Sequence, residues 1–180
     1  MKKTLLVILL FFSANFIFSQ EFENLCDAIK KSTTAEELDA MECEIFLAVG
    51  YILSQPYKDN KLDDSYALES LDRWMKGTEN YHLITGGKIL EDCDRDDDTM
   101  KSIYKVCMIE FLFANHEYVH KASDNEIRYV NIHKVREIIF GGAQLFMDYL
   151  SKQNKKIINK KLYKGLKLYK EGRLKEYMDS

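Results

Sequence analysis

Between Leu38 and Ile52 the apolar residues Leu38, Met41, Ile45, Ala48 and Ile52 recur at steps of three and four, the spacing that aligns one face of an α-helix. A start and a stop frame this stripe. Thr33 and Thr34 each have a glutamate three positions on, Glu36 and Glu37. A threonine hydroxyl can then take a first-turn N–H while the glutamate reaches back to the cap. Pro56 removes a backbone donor and ends the run. The second half of the stripe, IFLAVGYIL, is apolar on every side, which predicts a central, nearly enclosed helix. A chain with such a segment builds its core around a helix.

The remainder reads the same way. Pro56 is the only proline in 180 residues and there are eight glycines, too few breakers for many short strands joined by tight turns. Helices are predicted over Phe22–Lys31, Asp63–Met75 and Met100–Ala114, and from Ser123, boxed by Glu126, to Phe140. Gly77 and the pair Gly141-Gly142 read as stops. Tyr81 to Leu90 reads as a loop or short helix, and the tail closes in a Lys- and Tyr-rich amphipathic helix. No repeat, low-complexity run or linker interrupts the chain. The expected fold is all-α, a single compact domain of about six to eight helices over residues 20–180. Residues 141–180 form a C-terminal helical extension of it.

Residues 1–19 stand apart. Lys2 and Lys3 precede an unbroken apolar run, Leu5–Phe12, and Ser19 is a small residue before Gln20. That is the layout of a secretory signal peptide, too short for a membrane anchor. The expectation is an exported, periplasmic protein. Cys26, Cys43, Cys93 and Cys107 all lie in the exported part, and four cysteines in an oxidising space predict two disulfides stapling the domain, with three connectivities open. Zinc is disfavoured, because no Cys-x-x-Cys pair exists.

Charge is distributed unevenly. From Gln20 to Thr99 there are 20 acidic and 8 basic residues; from Ser151 to Ser180 there are 3 acidic and 10 basic. One end can attract the other, or each can recruit a partner of opposite sign, and a homodimer is compatible with this asymmetry. Export argues against a nucleic-acid partner, and no later segment is apolar for long enough to span a membrane. The basic tail reads as a packed terminal helix with a lysine-rich solvent face.

Two motifs invite catalytic or metal readings. His116-Glu117-Tyr118-Val119-His120 is an HExxH, in which histidines four apart on a helix hold zinc and the glutamate activates its water. A catalytic site needs a third protein ligand; the position six residues after His120 holds Glu126, and Glu137 and His133 are the other candidates. Asn115 would moreover cap a helix there, leaving His116 and Glu117 in a frayed first turn. Asp92, Asp94, Asp96 and Asp98 alternate, but no register supplies the glycine and terminal glutamate of a calcium loop. No GxSxG occurs. The reading is therefore of a non-enzymatic protein without a cofactor. A zinc hydrolase built on His116, Glu117 and His120 is one alternative, and a periplasmic helical interaction protein is another.

Three places resemble the Rap/Tai family of immunity proteins, which protect bacteria against peptidoglycan amidases delivered by type VI secretion. Leu25-Cys26, then Cys43 with Phe46 and Gly50, is similar to that family's early cysteine followed by a cysteine–aromatic–glycine helix. Cys93 before Met100–Ala114 is similar to its cysteine ahead of a long apolar helix. Phe111 to Ala122 resembles its segment where a helix ends and a short His-containing turn follows. The resemblance covers about Phe22–Phe140. It departs where the family has proline at the place of His116, and in lacking a terminal cysteine. It implies an exported, all-helical, disulfide-bonded protein that binds and inhibits a cell-wall amidase. It also implies that HEYVH is a structural turn, not a metal site.

Overall fold

The computed structural model describes residues 20–57, 65–78, 81, 87–93, 97–115 and 132–180, with residues 132–134 described in backbone only. Residues 20–31 form α1. There follow α2 (Ala35–Asp39), α3 (Glu42–Ser54), α4 (Tyr66–Gly77), α5 (Lys88–Asp92), α6 (Asp98–Ala114), α7 (Ile132–Ser151), α8 (Lys160–Lys170) and α9 (Leu174–Met178). A 3₁₀ turn, Lys155–Ile157, leads into α8. No strand occurs among the described residues. The protein is all-α, with nine helices among the described residues where about six to eight are expected from the sequence.

Side-chain caps set most of the starts. Thr34 Oγ1 accepts from Glu37 N–H at 3.2 Å, and Glu37 accepts from the Thr33 and Thr34 amides at 2.7 and 3.4 Å. These two amides hold the Glu37 carboxyl below its ordinary range. Ser65, Asp97 and Asn159 cap α4, α6 and α8 in the same way.

The expected long helix after Thr34 is two helices. The chain breaks at Ala40-Met41, and the Leu38 carbonyl accepts the Met41 N–H at 3.0 Å and the Trp74 indole N–H at 2.8 Å. The indole is fully buried and must find an acceptor. Gly77 lies at the end of α4 under Leu38, whose Cδ1 would come within 2.3 Å of an added Cβ.

Gly141-Gly142 does not stop a helix, against expectation: α7 runs through it. A Cβ on Gly141 would lie 2.1 Å from Phe111 Cε2, and one on Gly142 would lie 2.4 Å from Met108 Cγ and 3.1 Å from Met108 Cα. Both neighbours belong to α6, so the pair lets the two longest helices approach backbone to side chain. The α6–α7 contact is the most extensive among the described residues. Residues 141–180 are accordingly no appendage. Phe146, Met147, Leu150, Leu162, Leu166 and Tyr177 share one buried cluster with Ile45, Leu71, Trp74 and Met108.

The expected disulfides are absent: no bridge joins Cys26, Cys43, Cys93 and Cys107. Cys26, Cys93 and Cys107 are buried on three different segments, while Cys43 faces solvent on α3. A scheme of two bridges needs Cys43 to meet one of the interior three, and its side of the helix turns it away. Burial pushes the Cys107 thiol well above its ordinary range, so it persists as a small neutral core residue.

Candidate functional site

Among the described residues, those that the sequence singles out do not assemble into a reaction centre. His116, Glu117 and His120, together with Asp94 and Asp96, lie outside the described residues, as do the leader and the Ser123–Glu126 capping box. The side chain of His133 lies outside them too. Asn115 caps the C-terminus of α6, its side-chain amide donating to the Phe111 carbonyl at 2.8 Å. The helix for which the sequence makes it the N-cap lies outside the described residues. Glu137 lies in a groove of about 660 Å³ with Lys88, Arg136, Ile139, Phe140, Lys175 and Met178. Among the described residues no three His, Cys, Asp or Glu converge to hold a metal. No described helix is long and apolar enough to cross a membrane.

The acidic run is partitioned by its neighbours. Asp97 caps α6 through the Met100 N–H at 2.9 Å and accepts the Tyr57 hydroxyl at 3.0 Å. Asp98 is held low by Lys101 at 2.9 Å. Asp92 is buried: its Oδ2 accepts the Tyr177 hydroxyl at 2.8 Å, and its backbone carbonyl accepts the Asn159 amide at 2.8 Å. Lys88 Nζ stands 3.4 Å from Oδ1. The basic C-terminal helices are thus fastened to the acidic part of the chain at one residue, α9 through the Asp92 carboxylate and the start of α8 through its carbonyl. Its worth as an ion pair is modest, but as a hydrogen-bond acceptor it satisfies two helices.

The feature that sequence reasoning missed is on α3. Ile45, Ala48, Val49 and Ile52 turn inward to the layer formed with α4 and α6. The helix is apolar on all sides, and two apolar residues off the inward stripe face out. Phe46 is 51% exposed and Leu47 60% exposed, two of the four exposed large hydrophobic residues among those described. An added Cβ on Gly50 would meet nothing within 4 Å. Phe46 is no loose side chain: its ring packs edge-on against Phe113 at 5.6 Å, and Phe113 in turn contacts Trp74 and Tyr81. The stripe is therefore a rigid apolar surface that begins in the aromatic core and emerges into solvent.

The segment that carries it is acidic. Glu36 and Glu44 are exposed, and Glu42 accepts from Tyr81, whose hydroxyl is pushed far up, first by burial and then by this carboxylate. From Ser32 to Tyr57 there are five carboxylates and no lysine or arginine. Such a surface can take an apolar protrusion set in a basic surface, and water-exposed aromatic and aliphatic groups rimmed by charge are the make-up of a protein interface. The sequence signal for it was the all-round apolarity itself, which an enclosed helix and a docking helix share.

No protein-family model, curated protein or solved structure matches this chain.

Proposed function

We propose that this chain is an exported, non-catalytic binding protein that engages a basic protein partner through the α3 face. The resemblance to the Rap/Tai immunity proteins makes a peptidoglycan amidase the target, with inhibition by covering its cleft. The observation that carries the binding reading is the pair Phe46 and Leu47, held half-exposed on a helix whose segment, Ser32–Tyr57, has five carboxylates and no lysine or arginine. Hot spots of this kind combine a rigid anchor with a surround that excludes water. The leader supplies the compartment in which such a target acts.

The test is inhibition and calorimetric titration of a cell-wall amidase from the same genome with the purified protein. Phe46→Asp and Leu47→Asp should each weaken binding by about 30-fold or more, the loss of a typical hot spot. An amidase that is neither bound nor inhibited at micromolar protein would remove the target. Binding that both variants retain would remove the face.

A further inference from the structure

Five lysines and no carboxylate lie on α8, at Lys160, Lys161, Lys164, Lys167 and Lys170. All five are exposed. Leu162, Gly165 and Leu166 hold the helix to the molecule, which leaves the lysines and Tyr163, 43% exposed, facing outward. None of the five makes an ion pair among the described residues, and neither do Glu36 and Glu44. The molecule therefore carries two unpaired surfaces of opposite sign. One is α3, where Phe46 and Leu47 share the helix with the exposed Glu44 in a segment, Ser32–Tyr57, that holds five carboxylates and no lysine or arginine; the other is α8, where Tyr163 shares the helix with five ammonium groups. These two surfaces hold three of the four exposed large hydrophobic residues among those described.

They do not satisfy each other within one chain. The main packing partners of α3 are α4 and α6, and those of α8 are α9, α7 and α5. We infer that the α8 face of one copy docks on the α3 face of a second copy, a head-to-tail contact in which Tyr163 packs on Phe46 and Leu47 inside a ring of Lys–Glu pairs. A contact between two different faces closes into a ring or continues as a chain, and does not stop at a two-fold dimer. The exposed area of Phe46 and Leu47 is about 100 Å² each, half of a large side chain. That is well below the roughly 800 Å² per partner of a stable interface. The association is therefore weak, concentration-dependent and governed by charge. It rests on the same reading of α3 as a docking surface, and it makes self-association and target binding competitors for that surface.

Sedimentation velocity of the purified protein tests it. In 0.1 M salt the weight-average mass should rise with concentration. In 1 M salt, where the screening length falls from about 10 Å to about 3 Å, the protein should be a monomer. Glu44→Gln/Leu47→Ser removes the α3 face, and Tyr163→Ser/Lys164→Gln/Lys167→Gln removes the α8 face. Each variant alone should be monomeric, or associate at least tenfold more weakly. A mixture of the two should form a 1:1 pair and nothing larger, because each supplies the face the other lacks. All these positions are exposed, and unchanged helical circular dichroism certifies each variant; should one not fold, the salt dependence of the unmodified protein still decides. A monomer at every concentration in 0.1 M salt overturns the inference. So does association that survives in the α8 variant alone, which would mean that α3 pairs with α3. Self-association without any amidase binding would sink the proposed function and leave this contact standing. Amidase binding by a strictly monomeric protein would do the reverse.

Discussion

Asp92 illustrates how much one residue can organise. Its carboxylate and its carbonyl hold Tyr177 of α9 and Asn159 at the start of α8, two elements far along the chain. Tyr177→Phe leaves a buried carboxylate short of a donor, which costs about 1–3 kcal/mol. The loss should appear in a urea titration as a lower midpoint with an unchanged slope. From the sequence, Asp92 belonged to an acidic, solvated run. Nothing local distinguished it from Asp98, because its partners lie 67 and 85 residues away. Glu110 gives a residue-scale test of pH. Burial raises its carboxyl above the ordinary range, so the folded state holds that proton more tightly than the unfolded chain. Its contribution is most favourable below the unfolded carboxylate range and is lost as pH rises through the raised folded value. Glu110→Gln should therefore raise the melting temperature at neutral pH, and thermal scans should show that advantage shrinking on acidification.

Helices are the scale at which the sequence was most legible. The three- and four-residue spacing, the Thr34–Glu37 box and Pro56 located the α2–α3 region, and the apolar run located α6. What escaped were the points where packing overrides local preference. A glycine in a helix costs about 1 kcal/mol against alanine, which is why Gly141-Gly142 read as a stop; the close approach of Phe111 and Met108 offsets that cost. Glycine substitutions should accordingly have opposite signs in two helices. Gly50→Ala, with open space around it, should stabilise by about 0.5–1 kcal/mol. Gly142→Ala, forced against the Met108 backbone, should destabilise by about 1–3 kcal/mol. Equilibrium denaturation of the two variants reads both. The split between α2 and α3 was equally invisible, since it is the Trp74 indole, 36 residues on, that takes the Leu38 carbonyl.

For the whole molecule, the sequence revealed the fold class and the polarity of charge, but not where apolar surface stays uncovered. Periodicity cannot tell a helix enclosed on all sides from one with a side left open, since both are apolar all round. Leu47→Asp checks the distinction. At an enclosed position it would unfold the domain, whereas at the exposed site seen here it should change stability by no more than about 0.5 kcal/mol while weakening the proposed partner binding by about 30-fold or more. The seating of the tail has a consequence of another kind. Lys155 and Lys156 are exposed in the connection before α8, whereas Leu162, Leu166, Leu174 and Tyr177 beyond it are buried. A nick at either lysine would sever the chain without dislodging α8 and α9. After brief trypsin treatment the tail should stay in its seat by packing alone, its fragment co-eluting with the body on a sizing column and separating only in denaturant.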